Sequence, residues 1–300
     1  MVYALPNLTD DSYFITLMIF SGINAIVAIG LCILMGSAGQ VSLGQAGFYG
    51  IGAYASSVLS QSFGLPVVIS MLCAAVISGI AAVILAAPSL RLKGHYLAVA
   101  TLGFGEIIHI ILNEFGPGGP SGFGDIPALS AGGFVLTTPA HVAWVVWGIL
   151  LLLMIFSLNM LNARPGRALR ALHGSETACN AMGLDVVGLK IKVFVLSAVY
   201  ASIAGSLYAH YVSFISPSSF TLFHSVLLLM MVVLGGITTV WGGLVGAVII
   251  TLLPETLKAF EELDVLVYGL ILTLSLLFLR RGIVPIVTAK IHSLLVRRNA

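Results

Sequence analysis

Glu106 and His109 stand three residues apart within the apolar stretch 95–112, so a helix would set them on one face. A Glu-x-x-His pair is half of a di-iron carboxylate site. That chemistry needs a second such pair and two further glutamates at the same depth, and the sequence lacks them. No metal site is therefore expected. A carboxylate inside a membrane span is a functional-site expectation by default; the alternative is that Glu106 caps polar backbone near a helix break at Gly103 and Gly105. Cys32, Cys73 and Cys179 are unevenly spaced, with no CxxC and no Cys/His cluster, which argues against a disulfide framework and a zinc site. No G-x-x-x-x-G-K-[ST], H-E-x-x-H or G-x-S-x-G motif occurs. No catalytic residue and no cofactor is expected, and the chain is read as a non-enzyme.

A second polar concentration is 36–54, GSAGQVSLGQAGFYGIGAY, where Gln40, Ser42, Gln45, Tyr49 and Tyr54 alternate with small residues. Glycines at helical spacing let backbones approach closely, and polar side chains against lipid are costly without partners. The segment is either a tightly packed inner helix or the lining of a solute path, and the two are compatible. The Gly/Pro-rich stretch 115–124 is an ordinary surface connection or a contact for an external partner. A third concentration is basic. Pro165 suits the first turn of a helix over 166–173, along which Arg167, Arg170 and His173 recur every three residues. Gly174 ends it. Ser175 then reads as an N-cap, Glu176 favours the helix dipole and Gly183 marks the stop, predicting a helix of about seven residues. So short a helix must pack on something, either anionic lipid or a cytoplasmic partner.

The elements that position these residues follow from composition. Of 300 residues, 59% are hydrophobic and 8% charged, with a mean hydropathy of +1.11. A soluble domain of this length would carry about 25% charged residues. A soluble enzyme, a nucleic-acid binder and a disordered chain are excluded, leaving an all-α polytopic transmembrane bundle. A span needs ~20 apolar residues; candidates are 13–35, 66–90, 141–161, 193–215 and 265–279, with the more polar 44–60 and 95–112. The stretch 224–256 is too long for one helix and is broken by Gly235-Gly236 and Trp241-Gly242-Gly243, so it forms two short spans or a re-entrant hairpin. Seven to nine crossings result. The segment 44–53 faintly echoes 242–247, one small-residue stretch in each half.

Twelve of the 13 Lys and Arg residues lie at 91–93, 164–192 and 280–298, whereas acids such as Asp10, Asp11, Glu114, Asp125 and Glu255 lie at the opposite ends of spans. Lys and Arg favour the cytoplasmic side. The N-terminus is accordingly expected outside and the C-terminus in the cytoplasm of an inner-membrane protein. The chain is read as a single domain, 1–300, with a cytoplasmic loop at 163–192. Without a P-loop, uphill transport would draw its energy through that loop from a separate subunit.

The segments GSAGQVSLGQAGFYGIGAY, LRLKGHYLAVATLGFGEII and NARPGRALRALHGSETACNAMGLDVVGLKIKVFVLSAVYASIAGSLYAHYVSFISP resemble LivM-type permease subunits of branched-chain amino acid ABC transporters, in matching order from about residue 20 to 282. Urea permeases of the wider group are similar. The resemblance implies a partner LivH-like permease, two cytoplasmic ATP-binding subunits and an external solute-binding protein, with membrane lipid around and no nucleic acid. It also implies that 164–183 supplies a coupling helix. Gly166, Arg167, Arg170, Glu176, Ala178, Ala181 and Gly183 fall on the family pattern, although His173-Gly174-Ser175 stands where that pattern commonly has further acids. The solute path is expected at Gln40, Ser42, Gln45, Tyr49 and Glu106, and an aliphatic amino acid suits it.

Overall fold

The computed structural model describes residues 12–89, 95–131, 134–136, 138–257, 269–270, 273–274 and 282–286. Among these residues the fold is all-α apart from a pair of two-residue strands. Helix α1 (Ser12–Cys32) runs on through a π-helical turn, Ile33–Ser37, and is followed by α2 (Gln45–Ser62), α3 (Val67–Ser89) and α4 (His95–Phe115). A loop carries a 3-10 turn at Gly119–Ser121 and the antiparallel strands β1 (Ser130–Ala131) and β2 (Phe134–Val135). Then come α5 (Pro139–Asn162), α6 (Arg164–Gly174), α7 (Glu176–Ala181) and α8 (Val186–Val212). A 3-10 turn at Pro217–Phe220 leads into α9 (Leu222–Gly235) and α10 (Val240–Leu257).

Among the described residues, five stretches are long and apolar enough to cross a membrane: Tyr13–Ser37, Val67–Pro88, Tyr96–Phe115, Pro139–Asn162 and Val186–Val212. Helix α1 is the axis of the bundle. Five consecutive residues on it, Ala25, Ile26, Val27, Ala28 and Ile29, are fully buried, and since consecutive positions point all round a helix, other helices cover it on every side there. Helix α8 is the second buried element and crosses α2 at close range. An added Cβ at Gly52 would overlap the Ser202 carbonyl, and one at Gly205 would overlap that of Tyr49. Ser206 Oγ donates to Gly52 O at 3.0 Å across the same crossing. Without a hydrophobic drive between helices in lipid, such backbone contact and inter-helix hydrogen bonding carry much of the association.

Helix α8 starts seven residues earlier than the expected 193. Asp185 caps it, with Oδ1 accepting the Gly188 N–H at 2.9 Å, and the helix runs from there through Lys190 and Lys192 into the apolar run. It ends at Val212 rather than 215, where Ser213 turns left-handed at φ 59°. The stretch 224–256 folds as a helical hairpin. Helix α9, ~21 Å long at 1.5 Å per residue, reverses at Gly236 and returns as α10. That turn is covered by protein. Gly36 of the π-helical turn packs on Ile237, Cys32 Sγ faces Gly236 O, and Gly282 lies against Gly236. Of the expected span 265–279, only 269–270 and 273–274 are described, both helical. The basic residues at 91–93 and 280–281 and those from 290 onward lie outside the described residues, as do Asp10 and Asp11.

The loops sort to two ends. Turn 38–44 and α6 gather at one, where Gly39 lies beside His173. At the other, Phe123 and Ile215 form a β-bridge, His210 Nδ1 bonds Pro127 O at 2.7 Å, and Gln61 Nε2 reaches Gly124 O at 3.4 Å. The Gly/Pro loop is thus pinned to the turn after α8.

Candidate functional site

The polar residues of the α1–α2 region point into protein. Gln40, Ser42, Gln45 and Tyr49 are all buried. Gln45 Nε2 donates to Ser197 Oγ on α8 at 3.0 Å, and the Ala46 N–H donates to Ser225 Oγ on α9 at 3.0 Å. Leu43 N–H donates to Thr101 Oγ1 on α4, also at 3.0 Å. Ser42 Oγ sits 3.5 Å from the Gly44 N–H. Tyr49 is packed among rings, with centroids 5.1 Å from His224 and 5.7 Å from Tyr208 and Phe220. His224, in the first turn of α9, is a part of this cluster that sequence reading missed. The Gln40 amide, the Tyr54 hydroxyl and His224 Nε2 have no hydrogen-bond partner among the described residues.

Glu106 is placed differently. One side of α4 lies on α2: Thr101 is buried, and Gly47 approaches Gly105 closely enough that an added Cβ would sit 3.2 Å from its Cα. Phe104 stacks on Phe48 with centroids 4.8 Å apart. The other side is uncovered. Tyr96, Val99, Glu106, Ile107, Ile110 and Phe115 are exposed, and Gly103 opens onto free space one turn from Glu106. Glu106 lies ~16 Å along a helix of ~31 Å, near half depth. It makes no hydrogen bond or ion pair among the described residues. The fold therefore does not bring Glu106 onto one surface with Gln40, Ser42, Gln45 and Tyr49; α4 separates the exposed carboxylate from the buried polar set.

His109 is engaged elsewhere. Its Nδ1 is 3.1 Å from the Pro217 carbonyl, and a carbonyl only accepts, so Nδ1 carries the proton. This bond fastens the 3-10 turn at 217–220 to α4. No group of three or more His, Cys, Asp or Glu residues placed to hold a metal occurs among the described residues. A cavity of about 250 Å³ lies between α3, α5 and α8, lined by Val68, Leu72, Val145, Leu152, Ile203 and Leu207. Among the described residues, Ser130 is the only polar side chain in its lining. It offers nothing to a charged or zwitterionic solute.

The basic loop forms a compact pair of helices. Helix α6 carries Pro165 in its first turn and ends at Gly174. Gly166 is buried against the end of α5, where an added Cβ would overlap the Leu161 carbonyl. Arg170 Nη1 donates to that same carbonyl at 2.9 Å, satisfying a C-terminal group of α5 that has no intrahelical partner. Ser175 Oγ caps α7 by accepting the Ala178 N–H at 3.3 Å. Glu176 pairs with Lys190 of α8. Gly183 has φ +77°, a backbone geometry that glycine adopts without a Cβ penalty. Arg167, Ala178, Ala181 and Met182 face outward, the last 81% exposed, with Thr177 and Asn180 exposed beside them. Met182 is the largest exposed apolar group on this surface, and sequence reading missed Lys190 as its anchor. Met182 stands just past the helix end, and Lys190 is 14 residues from its partner.

Residues 13–276 match the family described as branched-chain amino acid transport system / permease component. The chain is 34% identical to the high-affinity branched-chain amino acid transport system permease protein LivM of Salmonella typhimurium, over 87% of this chain and 67% of the relative. It is 32% identical to the protein of the same name in Escherichia coli, with the same coverage. A ribose import permease protein, RbsC of Haemophilus influenzae, is 28% identical over 80% of this chain and 76% of its own length. The chain spans about two thirds of the length of the LivM relatives. No solved structure matches. With apolar helices of membrane-crossing length and a family match across most of its residues, this chain is a multi-pass membrane protein that belongs to the permease-component family of branched-chain amino acid transport systems.

Proposed function

We propose that the chain is one permease subunit of an ATP-driven inner-membrane importer of branched-chain amino acids. Its LivM relatives carry that substrate class in their names, and they match more strongly than the ribose permease. The observation that carries the coupling reading is the state of α7. It is capped, tethered through Glu176 to Lys190 and braced by α6, yet its own small residues and Met182 face outward. Six residues cannot hold a helix in water alone. A helix kept in shape with its contact face free is suited to a groove on a separate ATP-binding subunit. Placing this loop in the cytoplasm follows the lysine and arginine distribution.

The solute path runs along the uncovered side of α4, against a second, LivH-like permease. A carboxylate at half depth is costly against hydrocarbon, on the order of 3 kcal/mol on insertion scales, so that face abuts protein and water. Gln40, Ser42, Gln45 and Tyr49 stand behind the path, where Gln45 ties α2 to α8 and Tyr49 packs on rings of α8 and α9, while the Leu43–Thr101 bond and the Phe48–Phe104 contact hold this region to α4. Affinity resides in an external solute-binding protein.

The test is ATP-dependent uptake by the intact complex in proteoliposomes, with leucine, isoleucine, valine and urea competing. Competition by the three aliphatic amino acids and none by urea is expected. Urea competition alone, or uptake that follows an ion gradient without ATP, would overturn this reading.

A further inference from the structure

We infer that the Glu106 carboxylate receives the α-ammonium group of the solute at the midpoint of the path. This rests on the transport reading above and names the chemistry of one point within it.

Glu106 is a carboxylate at half the depth of α4, exposed, and without a cation or hydrogen-bond donor from the described residues. Among those residues the one ion pair is Lys190–Glu176, at the end of the bundle that holds α6. The nearest polar neighbour along α4, His109, has turned its Nδ1–H to Pro217 and serves the fold. The carboxylate is thus left available on a surface where an unpaired acid is expensive, and intramembrane acids with that property mark solute and ion pathways. Transporter sites sit near the bilayer midplane, where both sides of the membrane can reach them in turn.

The surroundings define what the acid can receive. Gly103, one turn away on the same side, meets nothing and leaves a notch beside the carboxylate. Val99, Ile107 and Ile110 make the rest of that side apolar. A cationic head with a short aliphatic body fits this pairing: the ammonium on Glu106, its backbone over Gly103 and its side chain on the branched residues. The solute carboxylate is repelled by the same charge and turned away from α4, toward the partner subunit. One charged hydrogen-bonding group attracts without holding tightly, which passage requires, whereas a neutral amide such as urea gains no charge–charge attraction there.

The experiment uses the whole complex, purified from its own membranes through a tag on this chain and reconstituted with its binding protein. ATP-driven uptake of radiolabelled leucine is compared for the unaltered complex, Glu106→Gln and Glu106→Asp, with size exclusion reporting assembly. We expect Glu106→Gln to lower uptake about tenfold or more, the range of one charge-assisted hydrogen bond, with the complex eluting intact and Glu106→Asp recovering part of the loss. In parallel, Glu106→Cys is expected to react with a cationic, water-soluble thiosulfonate, more slowly during leucine turnover. Uptake by Glu106→Gln within twofold of the unaltered complex overturns the subsite and leaves the transport reading standing. Dissociation of the Glu106→Gln complex overturns it as well, making the carboxylate a subunit contact. Absence of uptake of every branched-chain amino acid by the unaltered complex overturns the transport reading and the subsite with it.

Discussion

Lys190 Nζ donates to Glu176 Oε1, so that the first turn of α7 is anchored to the first turns of α8. The two partners are unequally buried: the Lys190 side chain is 10% exposed and that of Glu176 39%. Losing one partner therefore has different consequences on the two sides. Removing Glu176 strands an ammonium that water reaches poorly, whereas removing Lys190 leaves a carboxylate that water can still solvate.

Glu176→Leu is expected to destabilise the loop by about 2–3 kcal/mol and Lys190→Met by about 1 kcal/mol, the asymmetry following from the exposed partner. Co-purification of ATPase subunits and the half-life of the detergent-solubilised complex at fixed temperature would check the order. Equal losses from the two variants would show that burial does not set the value of this pair.

His109→Ala should free the 217–220 turn from α4. One hydrogen bond that leaves a carbonyl without its donor is worth about 1–2 kcal/mol. Amide exchange across 216–221 should speed up by roughly tenfold, with exchange at the α2–α8 crossing unchanged. A slower or unaltered rate would mean that the β-bridge between Phe123 and Ile215 already fixes that turn without help.

The legible parts of this chain are those written in local chemistry. Ser175 and Gly183 bound α7 because cap and left-handed turn need particular residue types at particular positions, and Pro165 and Gly174 bound α6 for the same reason. Apolar length alone placed α1, α3 and α5. The start of α8 was misplaced because Lys190 and Lys192 look like loop residues until Lys190 finds Glu176 and Asp185 its cap. Whether a polar residue faces a path or a neighbour is not local information. Gln45 and Glu106 read alike in sequence, yet Gln45 is consumed by Ser197 and Glu106 faces outward. Their partners lie on helices brought together only by the fold.

The α2–α8 crossing should tolerate no side chain at its closest point. Gly205→Val places branched carbons where the Tyr49 carbonyl already sits, and Gly52→Val does the same against Ser202. Overpacking of this kind costs typically 1–3 kcal/mol and more where backbone is the obstacle. Each variant should shorten the half-life of the detergent-solubilised protein at fixed temperature. Gly103→Ala, which meets nothing, should leave that half-life unchanged. Equal behaviour of Gly103→Ala and Gly205→Val would remove close packing as the cause.

The coupling surface can be separated from its supports. Met182 is 81% exposed and braces nothing, so Met182→Asp alters only what α7 meets outside the chain. Arg170→Glu removes the donor on the Leu161 carbonyl and sets a negative charge at the C-terminus of α5, against its dipole. Gly183→Pro demands φ near −65° where the chain has +77°. All three should lower solute-stimulated ATP hydrolysis, by different routes. Met182→Asp should do so with the permease's own thermal half-life unchanged, while Arg170→Glu and Gly183→Pro should shorten that half-life as well. If Met182→Asp retains full solute-stimulated hydrolysis, α7 does not present Met182 to the ATPase. The lipid alternative for this helix then takes precedence, and it carries its own signature: binding of the loop to anionic vesicles that weakens as salt rises.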